Sequence, residues 1–235
     1  EEAAIEKAQA QSMREEDLLC RLAVQMNRHD DMPNLELAAN IVFAFDKEAV
    51  EILASVIMRF DDVHSPDASR VLREVGEREP DLLDSILDDM IGVCDQGETE
   101  MLPLAMYALS PVADRVAGHL WDMREILWNV LSETSEHSDL AHEAAVRLLA
   151  ALCSSGPDYA RTLAGGLVDL LGKCNPKDVA LYAESVLPAL GTAHSHRAKP
   201  VLDRRMKELT PAEVARLRRA VRAAQTGQTY ASYAA

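Results

Sequence analysis

The chain is poor in aromatic residues, which make up 4% of its 235 positions, and poorer still in the signals of β-structure. It contains no Asn-Gly or Asp-Gly pair to turn a hairpin and few runs of β-branched residues. A sheet-built core is therefore disfavoured. No apolar run reaches the roughly 18 residues that a membrane-crossing helix needs. The opening stretch, EEAAIEKAQAQSMREED, is acidic and polar, unlike the basic start and apolar middle of a secretory signal. It lacks an initiator Met, as expected of a fragment or a processed chain. Four cysteines, Cys20, Cys94, Cys153 and Cys174, stand far apart with no CxxC pair. They read as buried, reduced thiols of a cytoplasmic chain.

Chemistry is equally sparse. GxSxG, the P-loop and GxGxxG are all absent, and no nucleophile stands in a motif with a base. His194 and His196, in GTAHSHRAKP, are one residue apart. A zinc site needs three or four ligands with supporting carboxylates, and none is spaced to join them, so the segment reads as a turn in which Ser195 caps the next helix. His29 sits beside Asp30 and Asp31 in a polar loop, while His137 and His142 are five apart, which does not align them on one helix face. No cofactor and no metal are expected, and the chain does not read as an enzyme.

What is present is helix. Apolar residues make up 48% of the chain, enough for a folded core. In DLAHEAAVRLLAALC the stripe is Leu140, Ala144, Leu148 and Leu152. Leu163, Leu167, Leu170 and Leu171 continue the pattern in the next segment, and Val179, Tyr182, Val186, Leu187 and Leu190 in the one after. Each stripe is wide, as for a helix packed on more than one neighbour. Pro66, Pro80, Pro111, Pro157, Pro176 and Pro211 stand where helices should open, because proline's missing N–H is not needed there. TPAE, with Thr210 and Glu213, has the form of a capping box, and Asn175 is placed to cap the helix after it. The AGGL stretch at 164–167 reads as close helix packing.

The pattern predicts helices near 3–28, 34–44, 47–60, 66–76, 80–94, 98–109, 112–132, 138–153, 157–173, 176–191, 195–208 and 211–225. Paired, their first members begin near 34, 66, 98, 137 and 176. DLAHEAAVRLLAAL (139–152) aligns with DVALYAESVLPAL (178–190), and Pro188 falls inside a first helix. In this period and small-plus-Leu texture the 137–208 region resembles HEAT or armadillo-type repeats, and the rhythm extends to 34–208. The resemblance implies an all-α, right-handed α-solenoid of about five antiparallel hairpins, with an extra N-terminal helix and a C-terminal capping helix. It would form a single domain over 1–226 with a tail at 227–235. A globular helical bundle is the structural alternative.

Charge is uneven. The chain carries −15 overall, which repels nucleic acid. Yet residues 197–222 hold nine basic and three acidic side chains. Arg204, Arg205, Arg216, Arg218, Arg219 and Arg222 are candidate binding residues for an acidic partner, or for the acidic surface of a second copy. Trp121 and Trp128, seven apart on one predicted helix, are core residues or, if exposed, aromatic anchors. Asp81, Asp84 and Asp88 form a solvated acidic ridge. The resemblance implies a non-enzymatic scaffold or adaptor that binds another protein, not a membrane. Self-association is left open. The alternatives are a nucleic-acid-associated HEAT-like repeat protein binding through the basic helix, or a HEAT-like enzyme such as a bilin lyase.

Overall fold

Leu148, Leu152, Leu163, Leu167, Leu187 and Leu190, the stripes expected to face inward, are all buried. They belong to helices that dominate the computed structural model, which describes residues 2–28, 30–96, 101–132 and 139–226. Among these residues there is no strand. The chain divides into two compact units, Glu1–Val112 and Ala113–Ala235.

In the first unit, α1 (Glu2–Cys20) is followed by turns, then α2 (Met32–Ala44), α3 (Lys47–Met58) and α4 (Ser65–Arg78). A 3-10 segment (Pro80–Ile86) leads into α5 (Leu87–Gln96), and α6 is Leu102–Leu109. The helix expected over 3–28 thus ends at Cys20, and the chain turns through Asn27 in the left-handed region, φ 50°. α2 packs on α4 and α4 on α6, while α3 packs on the 80–86 segment and α5. α2, α3 and α4 therefore touch their hairpin partners and the equivalent helix of the next hairpin. That next-neighbour stacking distinguishes a helical repeat from a bundle. Asp46 caps α3 by accepting from the Ala49 N–H at 3.0 Å.

The second unit contains α7 (Ala117–Asp122), α8 (Arg124–Ser132), α9 (Asp139–Ser154), α10 (Pro157–Lys173), α11 (Pro176–Arg205) and α12 (Pro211–Thr226). α9 packs on α10 and on α11, and α12 on α11. The single helix expected over 112–132 is interrupted at Met123. Arg124 Nη1 donates to the Trp121 carbonyl at 2.7 Å, a side-chain cap on the helix end at the break. Trp121 and Trp128 consequently lie on two helices. The first helices of the successive pairs begin at Met32, Ser65, Leu102, Asp139 and Pro176, giving intervals of 33, 37, 37 and 37 residues. The fold is all-α, of the α-solenoid class.

Most boundary signals act as read, but Pro80 opens a 3-10 segment, and Pro111 lies inside a 3-10 turn at Ser110–Val112, with the next helix starting only at Ala117. Pro157, Pro176 and Pro211 each open a helix, and the Asn175 side chain accepts from Lys177 N–H at 3.2 Å. Thr210 N–H and Oγ–H both donate to Glu213 Oε2 at 2.8 Å, and Glu213 N–H returns to Thr210 Oγ1 at 3.4 Å, closing the capping box. Of the two glycines in AGGL, only Gly166 is packed. A Cβ there would lie 3.0 Å from two carbons of the Trp128 indole, whereas one at Gly165 would meet nothing within 4 Å. The tail at 227–235, His29 and His137 lie outside the described residues.

Candidate functional site

A concavity of the second unit is built by two devices. The first is a break in α11. Gly191 adopts φ 56°, ψ −173°, a conformation L side chains rarely take. Nothing lies within 4 Å of where its Cβ would be, so the backbone angle, not space, favours glycine. The helix resumes at once over 192–205, so Ser195 sits inside the second limb and does not cap it, and His194 and His196 occupy the limb's first turns. The second device is the apolar stripe Leu217, Ala220 and Ala223 of α12, buried in the helix pair α12 makes with α11.

Between this limb and α12 lies a groove of about 730 Å³. Leu187, Leu202, Met206, Leu217, Val221 and Ala224 form its apolar lining. His196 and Lys199 edge it on the α11 side, Arg218 and Arg222 on the α12 side, and Asp203 is the one carboxylate among the lining residues. Arg222 Nε donates to the Arg218 carbonyl at 3.3 Å, laying the guanidinium along its own helix.

The six arginines singled out by composition separate into three kinds. Arg205 is buried; its Nη2 donates to the Cys174 carbonyl at 2.5 Å and its Nη1 pairs with Glu208 at 2.8 Å, so it closes the end of α10. Arg216 forks onto Glu184, with Nε and Nη2 donating to the two carboxylate oxygens at 2.6 Å each. Arg218 and Arg222 are exposed on the groove edge, and Arg204 and Arg219 are exposed elsewhere. Lys199 and His196 were visible in the sequence, but only the break at Gly191 places them opposite Arg218 and Arg222.

The tryptophans are half-buried. Trp121 stacks at a tilt on Tyr159, centroids 5.1 Å apart, and carries the Arg124 guanidinium 4.5 Å above its ring. Trp128 is set against Gly166. Both rings are thus engaged within their own unit. Asp81, Asp84 and Asp88 are exposed as expected, over Leu82, Leu83 and Ile86, which are buried.

Three other features of the chain bear on chemistry. In the first unit, His64 Nδ1 lies 2.7 Å from Asp61 Oδ2, the orienting half of an acid–base pair. Its outer nitrogen, however, is 2.6 Å from Gln25 Nε2. The nitrogen that would act on a substrate is thus occupied by Gln25. Burial pushes the Cys174 thiol up to about 11 and raises that of Cys153, which keeps both poor nucleophiles. Cys20, contrary to the sequence reading, is exposed at the end of α1. Phe43 is 93% exposed, with Phe45 and Met32 also exposed on the same unit. No helix among the described residues is long and apolar enough to cross a membrane.

No family model matches the chain, and no curated protein matches it. Among solved structures, it is similar to two engineered proteins from a structural genomics programme. One is 17% identical over 92% of this chain and 98% of that one, with a TM-score of 0.52. The other is 14% identical over 91% and 97%, also with a TM-score of 0.52. A designed armadillo repeat protein in complex with the peptide (KR)4 aligns at 12% identity over 82% and 85%, with a TM-score of 0.49. At these identities the likeness is one of fold alone.

Proposed function

We propose that the chain is a non-enzymatic protein-interaction module, and that it docks a segment of a partner protein in the groove between the second limb of α11 and α12. The observation that carries this reading is the groove itself. An open concavity of about 730 Å³ falls within the roughly 300–1,000 Å³ typical of binding clefts. Its lining combines six apolar residues with seven polar or charged ones, a composition that gives affinity from burial and orientation from charge. Helical repeats commonly bind along such surfaces because each hairpin adds a rigid increment of surface with little ordering cost.

The test is a selection of displayed random peptides against the folded chain, followed by affinity measurement with an Ala224→Trp variant. That substitution fills the groove without changing its charge. The reading expects selected peptides that bind the parent and lose binding to the variant, while Phe43→Ser, on the other unit, has no effect. It is overturned if no peptide is selected, or if the selected peptides bind Ala224→Trp as they bind the parent.

A further inference from the structure

Resting on that docking site, we infer that its occupant is an acidic amphipathic helix: an apolar stripe for the floor, flanked on both sides by carboxylates. The two walls are themselves helical and carry matched registers. On α12, the half-buried Val221 and Ala224 stand at i+4 and i+7 from the buried Leu217, and Arg218, Arg222 and Gln225 follow the same stripe one position on. On the α11 limb, Leu202 and Met206 continue the floor, while His196, Lys199 and Asp203 lie on the edge. Cations therefore stand on both walls above one apolar floor. From 195 to 206 the α11 wall runs about 17 Å at about 1.5 Å per residue, room for about three turns of a docked helix. A helix presenting Leu-type side chains at i, i+3 or i+4, and i+7 fills such a floor, and Glu or Asp beside that stripe meets Lys199 on one wall and Arg218 and Arg222 on the other.

Long-range charge acts in the same sense. The chain as a whole is at −15, while 197–222 has six more cations than anions. An acidic ligand is thus repelled by most of the molecule and attracted here, which steers encounter toward this one place. Two other occupants fit less well. The chain's own 227–235 segment, GQTYASYAA, carries no acidic side chain. The acidic stretch 81–90 of a second copy already uses Leu82, Leu83 and Ile86 in its own core.

The experiment uses three fluorescent 15-residue peptides on one helical frame, with the same Leu stripe and flanks of Glu, Gln or Lys. Binding is read by anisotropy at low and high salt. The Glu-flanked probe is expected to bind most tightly and the Lys-flanked probe not at all. Replacing Lys199, Arg218 and Arg222 together by Gln weakens the Glu-flanked probe about tenfold, and salt abolishes the advantage of Glu over Gln as the Debye length shrinks from about 10 Å at 0.1 M to about 3 Å at 1 M. All three side chains are exposed and Gln keeps helix propensity, so the variant folds, with Arg218→Gln alone as the milder check. Equal binding of the Glu and Gln probes, or tighter binding of the Lys probe, overturns the acidic partner while leaving the docking site standing. So does failure of all three probes where selected peptides bind. Tighter binding of a single-stranded DNA oligomer or of anionic vesicles, lost in the triple variant, likewise assigns the cationic edges to phosphate and overturns the inference.

Discussion

Arg216 and Glu184 are 32 residues apart in sequence, yet the guanidinium of one grips the carboxylate of the other through two hydrogen bonds of 2.6 Å. The Glu184 side chain is only 12% exposed, so α12 is tied to the first limb of α11 by a fork that is partly out of water. Arg216→Gln leaves that carboxylate half-paired and is predicted to cost about 1–2 kcal/mol. Arg219→Gln, on the exposed side of the same turn, is predicted to change stability by less than about 0.5 kcal/mol. Urea denaturation of the two variants provides the comparison, and equal losses would mean that the fork contributes nothing.

The two glycines of AGGL are predicted to respond with opposite signs. Gly166→Ala drives a methyl to 3.0 Å from the Trp128 ring, a rigid neighbour that cannot yield cheaply, and is expected to cost about 1–3 kcal/mol. Gly165→Ala meets open space inside α10 and should stabilise by up to about 1 kcal/mol. Thermal melts decide it. Destabilisation by both would show that the α8–α10 packing is tighter at Gly165 than described.

At the start of α12, Thr210→Ala removes one arm of the capping box. Typical losses for such a cap are about 1 kcal/mol. Glu213 gives a second readout. Its carboxyl is held below its ordinary 4.5 by the Thr210 backbone and side-chain hydrogen bonds. In the Thr210→Ala variant, NMR titration should find the Glu213 value moved back up toward 4.5. Because Ala keeps the backbone N–H that is the larger cause, the rise is partial, and an unmoved value would mean that the hydroxyl arm of the box does not form in solution.

Acid sensitivity follows from Asp61. His64 beside it, with backbone N–H donors, holds its carboxyl below the ordinary 3.8. A depressed folded-state value contributes stability that is complete above the unfolded value, falls as the pH drops below about 4, and is gone below the folded value. Asp61→Asn should therefore flatten the acid limb of the stability–pH curve below about pH 4. A limb of unchanged slope would show that the contact with His64 is not maintained.

Much of the fold was legible because its determinants are local. The stripes at Leu148, Leu152, Leu163 and Leu167, the prolines at 157, 176 and 211, and the Thr210–Glu213 box all act within a few residues of themselves, and the buried faces and helix starts follow. The break at Met123 was not legible, because the side chain that stabilises it, Arg124 on the Trp121 carbonyl, looks like any surface arginine. The site was half legible. A cluster of cations near the C-terminus is plain in the composition, but Arg205 and Arg216 are indistinguishable there from Arg218 and Arg222. Their partners, the Cys174 carbonyl and Glu184, lie 31 and 32 residues away, and only packing brings them together. The apolar floor was hidden for a related reason. Val221 and Ala224 sit beside the α12 stripe that packs on α11, and in a linear pattern they read as part of it.

The most direct test of the groove as a docking site is methyl NMR of the labelled chain titrated with a selected peptide. The account predicts that the methyl resonances of Leu187, Leu202, Met206, Leu217 and Val221 shift together with one dissociation constant, and that those of Val63 and Leu53 in the other unit do not move. Shifts confined to residues away from α11 and α12, with the groove methyls unchanged, would contradict it.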